Sequence, residues 1–365
     1  MTKSYSLKIY GFDGTYIKTI KSDQIMNDPK FSSKTKGGQG QCLIDINLPY
    51  DDFDEGVSIK GMNVVKIYER DDVFNKEAVL IYTGFISQYT PYVKASNEGV
   101  ALTLLGLVSM LSYGYFRTGG GSDVVTVTGV DPATVMEDII DHFNTIYPGV
   151  WITHGSNVDP IGGTINFTYT KLKWMDSVNK TFELAEGGRY FTIRENGEMY
   201  YKDFPSTPTH RFTIGKSVDS ASIVKNTEKI VNRVVLQWAS GTNTYDDAPS
   251  QAAYGLKEQF IKELGVGDIG TANNYAAGVL AENKDPKIEA KIHINNLYNI
   301  ESIHPGDTCS VFNTKKDSNV FDTNMYITSV TYTPDGVDLE LNNDLPGFSD
   351  LFKSQVQKQI DESNN

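Results

Sequence analysis

Gly265-Val266-Gly267-Asp268-Ile269-Gly270 has the spacing of a dinucleotide-binding loop, in which glycines let the backbone approach a pyrophosphate at a helix start. That chemistry needs a strand before the loop. The apolar repeats Leu256, Phe260, Leu264 and Tyr275, Val279 predict helices over 252–264 and 271–282, so the glycines read as a linker, with glycine ending one helix and Thr271 capping the next. Gly215-Lys216-Ser217 resembles the end of a phosphate-cradling loop, but His210 stands where its first glycine belongs. The five histidines, His142, His154, His210, His293 and His304, include no i, i+4 pair and no nearby cysteine pair, the spacings that gather zinc ligands. Asp51-Asp52-Phe53-Asp54-Glu55 and Asp246-Asp247 offer oxygens to a hard cation but lack the glycine and terminal glutamate of a calcium loop, and they read as solvated loops. Cys42 and Cys309 are too few for a disulfide scaffold and read as half-buried thiols in a reducing compartment. The chemistry therefore yields no catalytic, cofactor-binding or metal-ligating residue, and no cofactor is expected.

Composition narrows the classes further. The 365 residues hold 33 Lys plus Arg against 46 Asp plus Glu, a net charge of -13, which disfavours stable binding to phosphate backbones. At 39% hydrophobic and 11% aromatic the chain folds, with length for about two domains. The first residues, Met-Thr-Lys-Ser-Tyr-Ser-Leu, lack the apolar core of a signal peptide. The longest apolar stretch, Val100 to Leu111, is broken by Thr103 and Ser109 and falls short of the roughly 20 residues a membrane helix needs.

The elements follow from periodicity. Tyr5 to Ile20 alternates around Gly11-Phe12-Asp13-Gly14 as a hairpin, and strands follow at 40–48, 64–70, 78–89 and 99–107, which makes 1–115 an all-β, barrel-like domain. After the break at Gly119-Gly120-Gly121-Ser122, Asp131 caps a helix with Pro132 at its first position and Val135, Ile139, Phe143 and Ile146 as its buried stripe, stopped by Pro148-Gly149. A helix from Trp174 to Ala185, ended at Gly187-Gly188, and a hairpin through Glu195-Asn196-Gly197 complete a small α+β domain over 116–217. A strand at 230–238, the helix pair, and strands at 288–294, 308–312, 325–332 and 337–341 form a second barrel-like domain over 218–345. Residues 346–365 put Phe348, Phe352, Val356 and Ile360 on one face of a short amphipathic helix. The fold class expected is mainly β: two tandem barrel-like domains flanking an α+β insert.

An internal echo supports duplication. Tyr89-Thr90-Pro91 precedes Gly99-Val100-Ala101-Leu102-Thr103-Leu104, and Tyr332-Thr333-Pro334 precedes Gly336-Val337-Asp338-Leu339-Glu340-Leu341. Three passages, in this order, resemble the bacteriophage tail hub family, the trimeric baseplate hub or tail-associated proteins of long-tailed phages. Gly99 to Leu111 resembles the strand and turn closing the first hub barrel. Lys173 to Ile193, continuing through Asn196-Gly197 to Met199-Tyr200-Tyr201, is similar to the helix and hairpin of the hub insert. Tyr254-Gly255-Leu256, Tyr275-Ala276-Ala277 and Pro305-Gly306-Asp307 follow the spacing of the second barrel.

The resemblance implies a homotrimer whose six barrels meet a sixfold tail tube, with a spike or fibre below and a path for DNA. Partners would be the tail tube or distal tail protein, the tape-measure protein and the spike or fibre. The protein would sit at the virion tail tip after assembly in the host cytoplasm, with acidic side chains lining its channel. Many members continue into receptor-binding or lytic extensions, whereas here a short tail follows Leu345, so no built-in cell-wall hydrolase is expected. The competing reading is a carbohydrate-binding receptor adhesin of the tail tip, its 21 Tyr and 3 Trp serving as stacking platforms.

Overall fold

A computed structural model describes residues 3–48, 59–71, 77–94, 97–117, 121–147, 149–185, 189–264, 266–313, 318–319 and 325–342. The acidic run 51–55, Gly119, Gly120, Pro148, Gly187, Gly188, Gly265 and the stripe at 348–360 lie outside them. The protein is mainly β.

In the first part, β1 (Lys3–Tyr10), β2 (Tyr16–Ile20), β3 (Phe31–Lys34), β4 (Lys36–Gly38), β5 (Gln41–Ile46), β6 (Val64–Asp71), β7 (Val79–Lys94) and β8 (Asn97–Gly106) follow one another. Six of them form a sheet in the order β2-β1-β6-β7-β8-β5, whose ends meet at the bridge between Ile25 and Ile46. Period-2 alternation sends Leu7, Ile9, Ile44, Ile46, Ile67, Leu102 and Leu104 into one core. The β1–β2 turn closes through Gly11 N–H to the Thr15 carbonyl, 2.7 Å, with Gly14 at φ 88°.

The central part holds β9 (Val124–Val130), α1 (Pro132–Ile146), β10 (Ile165–Thr170), α2 (Trp174–Leu184), β11 (Arg189–Ile193) and β12 (Met199–Asp203). Asp131 caps α1 by accepting from the Ala133 N–H at 2.8 Å, and its other oxygen takes the Ile161 and Gly162 amides at 3.0 Å each. Val135, Ile139 and Phe143 pack with Trp174 and Val178, whereas Ile146, on the same stripe but in the last turn, is exposed.

The rest comprises β13 (His210–Ile214), β14 (Val218–Asn226), β15 (Arg233–Trp238), β16 (Gly241–Asp246), α3 (Ala248–Tyr254), β17 (Glu258–Glu263), α4 (Ile269–Asn283), β18 (Lys287–Asn295), β19 (Thr308–Asn313), β20 (Ser318–Asn319), β21 (Met325–Thr333) and β22 (Gly336–Asn342). The strands β19-β13-β14-β18-β22-β21 close into a six-stranded ring, since β19 also pairs with β21. Phe212, Ile292, Val311, Ile327 and Leu339 fill it. Two strands tie the parts together: β3 adds to β21, and β4 runs parallel to β11.

The expected helix over 252–264 is not there. The segment ends the seven-residue α3 and then forms β17, parallel to β15, while α4 covers the sheet β16-β15-β17. Leu256, Phe260 and Leu264 misled because a spacing of four fits a strand's period of two as well as a helix. Thr271 is not the cap of α4 either. Asp268 is, accepting from the Thr271 N–H at 2.9 Å and hydroxyl at 2.6 Å.

Both β blocks contain one hairpin with the same irregularity. In β7–β8, Ile86 faces Leu104 and Gln88 faces Thr103; in β21–β22, Ile327 faces Leu341 and Ser329 faces Glu340. Each leaves one extra residue, Ser87 or Thr328, whose hydroxyl donates across the bulge to the Thr103 or Glu340 carbonyl, 3.0 Å in each case. The equivalent of Val330 is thus Tyr89, and the Tyr-Thr-Pro triplets sit two residues out of structural register.

Candidate functional site

The polar groups that the structure gathers lie where the three parts meet. The β11–β12 hairpin has its tight turn at Arg194-Glu195-Asn196-Gly197, with Gly197 at φ 83°, and this tip inserts between the two β blocks. From the first block, the Thr83 hydroxyl donates to the Glu195 carbonyl at 2.5 Å. From the second, the Pro305-Gly306-Asp307 turn faces the same tip. Asp307 accepts from the His304 N–H at 2.8 Å and contacts His210 Nε2 at 3.0 Å, with Arg194 Nη2 3.9 Å from its other oxygen. His304 Nε2 lies 3.5 Å from Glu195 Oε1. Tyr298 holds the other nitrogen of His210 at 3.2 Å.

Packing closes the junction. Gly306 has φ 97°, and a Cβ there would lie 2.3 Å from the Tyr190 ring, so glycine alone fits. Tyr332 packs against both barrel cores, stacks on Phe31 at 4.7 Å and donates to the Ile303 carbonyl at 3.1 Å. Burial pushes Glu195 upward most, but the hydrogen bond and charge of His304, with a backbone hydrogen bond and the Arg194 charge, together hold the carboxyl below the usual glutamate range. Burial pushes Tyr190 up to about 12. The histidines, carboxylates and Tyr298 contact one another here, while Arg194 Nε is buried without a hydrogen-bond partner.

The other sequence candidates are dispersed. His142 accepts from Trp174 Nε1 at 2.9 Å, His154 sits 3.1 Å from Asp141, and His293 2.8 Å from Asp338. Among the described residues no three His, Cys, Asp or Glu side chains gather as a metal site. Asp246 pairs with Arg233 at 2.6 Å, and Asp247 caps α3 through the Ser250 N–H while meeting Lys284 at 3.2 Å, so neither is a free solvated carboxylate. Cys42 and Cys309 are fully rather than half buried, and burial raises both thiols. Gly215-Lys216-Ser217 is the β13–β14 turn, its amides bonded to its own chain. The described residues 266–268 of that motif come after strand β17, contrary to the reading of the helix pair. A pyrophosphate still finds no seat, because the Asp268 carboxylate occupies the α4 N-terminus and β18 leaves for another sheet. Among the described residues no helix is long and apolar enough to cross a membrane.

Sequence reasoning missed Thr83, Arg194, Tyr298 and Tyr190 at the junction. The Asn-Gly and Pro-Gly-Asp turns were visible, but nothing in either says that they face each other. No family model matches the chain, and no curated protein matches it by sequence. Solved structures do. A tail protein from Neisseria meningitidis MC58 superposes with a TM-score of 0.63 at 11% identity, covering 95% of this chain and 97% of its own. The 43 kDa tail protein of prophage MuSo2 from Shewanella oneidensis gives 0.63 at 12%, covering 93% and 97%. The prophage tail protein gp18 from Listeria monocytogenes gives 0.57 at 12%, covering 98% and 99%. The chain has the fold of phage tail proteins. This tail-protein fold spans it nearly end to end.

Proposed function

We propose that the chain is a structural phage tail hub protein that closes the distal end of the tail tube and links it to a spike or fibre while leaving a path for the genome. The observation that carries this is the fold, which matches whole tail proteins over 95% and 93% of this chain. The paired bulged hairpins support a duplicated unit, and three copies of a duplicated unit are the smallest ring able to meet sixfold symmetry. In this reading residues 1–115 act as first barrel domain, 116–217 as an insert whose end, β13, joins the second ring, 218–345 as second barrel domain, and 346–365 as a partner-binding segment.

The protein works as a homotrimer at the virion tail tip, assembled in the host cytoplasm. It contacts the tube or distal tail protein, the tape-measure protein and the spike or fibre, and its net negative charge keeps passing DNA from adhering. It performs no catalysis. Gold-labelled antibody against the chain, applied to phage particles that carry it, is expected to mark the distal end of the tail. Label confined to the capsid or the tail shaft would overturn the proposal, and release of fragments from peptidoglycan by the purified chain would overturn its non-enzymatic part.

A further inference from the structure

Strand β17 is an edge of the sheet β16-β15-β17, and among the described residues only β15 pairs with it. Its parallel register sets Arg233 opposite Glu258, and the Arg233 N–H donates to the Lys257 carbonyl at 3.0 Å. Parallel pairing then turns the backbone groups of Lys257, Gln259, Ile261 and Glu263 toward β15. Those of Glu258, Phe260 and Lys262 point outward.

The side chains of the same residues lie on the sheet face away from α4, since Ile261 is buried in the core that α4 covers. That face is uncovered at Phe260, which is 62% exposed, and Leu256 and Leu264, which flank the strand, are each 55% exposed. A run of five positions thus reads Leu256, Glu258, Phe260, Lys262, Leu264, and its pattern is complementary to its own reverse.

We propose that β17 is a homotypic docking edge to which a second copy of this chain adds its own β17, antiparallel, across a two-fold axis at Phe260. In that register Phe260 meets Phe260, Glu258 of each copy meets Lys262 of the other, and Leu256 meets Leu264. The outward N–H and C=O groups of both strands meet as hydrogen-bonded pairs, and two three-stranded sheets become one of six strands. A slip of one residue places Phe260 opposite Ile261, whose backbone groups are already turned to β15. A parallel copy in equal register sets Glu258 on Glu258 and Lys262 on Lys262. Charges on an edge ordinarily guard against strand addition; this guard rejects parallel addition and favours the antiparallel one. The contact is isologous, so it couples chains in even numbers and is separate from any threefold ring.

The full chain should be weighed by light scattering after size exclusion over a range of concentrations. Two chains per particle are expected, or six where the two-fold contact joins two threefold rings. Glu258→Lys, which puts two lysine pairs across the axis, should weaken the association about ten-fold or more, and adding Lys262→Glu in the same chain should restore it. Glu258 also lies 3.7 Å from Arg233 within its own chain, a contact both variants lose, so the restoration reports the contact between copies. In Phe260→Cys, mild oxidation should join two chains, since hydrogen-bonded antiparallel partners have Cα atoms about 5.5 Å apart, within disulfide reach. Cys42 and Cys309 are buried, which leaves position 260 as the accessible thiol among them. Odd-numbered particles only, association indifferent to Glu258→Lys, or no cross-link at 260 would overturn the proposal. Association that appears only after residues 343–365 are removed would overturn it too, by giving the edge to the chain's own end.

Discussion

Asp307 is the residue on which the junction turns. It takes the His304 amide and the His210 ring on one oxygen and faces Arg194 with the other, and its side chain is 15% exposed. Asp307→Ala leaves these donors without an acceptor, and hydrogen bonds to charged groups are worth about 1.5–3 kcal/mol. We expect urea unfolding to show a loss of about 2–3 kcal/mol for Asp307→Ala and a smaller one for Asp307→Asn, which keeps an acceptor. At this scale the sequence was legible in part. Pro305-Gly306-Asp307 and Asn196-Gly197 announce turns through residues that tolerate positive φ or fix it, yet their meeting across more than a hundred residues depends on how β11 seats against β4. The histidines carried no spacing signal, because each finds its partner on a different element.

At the scale of elements, strands and helices with a single consistent period were readable, and those with an ambiguous one were not. Alternation along β18 and the Asp131-Pro132 start of α1 admit one reading each, while Leu256, Phe260 and Leu264 admit two. The echo was readable as duplication but not in register, since a bulge adds a residue that sequence spacing does not mark. The bulge hydroxyls make a paired prediction. Ser87→Ala and Thr328→Val should each cost about 1 kcal/mol in chemical denaturation, and because the two lie in different barrels the double variant should lose close to the sum. The cap of α4 gives a pH test. The Thr271 hydroxyl and amide hold Asp268 below the usual aspartate range, so its stabilisation is present above that range and is lost as pH falls through the lowered value. Asp268→Ala should therefore cost about 1 kcal/mol at pH 7, and thermal unfolding near pH 2 should find variant and parent closely matched.

At the scale of the whole molecule, the mainly β architecture was legible from composition and turn spacing, and the tail-protein fold confirms that much. What the sequence did not disclose is that β3 and β4 pair across its parts, because long-range pairing leaves no local periodicity. Those exchanges, with the Asp307 junction, join the parts through backbone pairing and side-chain contacts. The acidic balance of the chain fits a wall that DNA passes without binding. The most direct measurement is a cryo-electron microscopy reconstruction of the tail tip of particles that carry this chain. The account predicts three copies in a closed ring at the distal end of the tube, their six β blocks alternating around the axis with the bulged hairpins in equivalent positions. A ring of another copy number, or density for the chain away from the tube end, would contradict it.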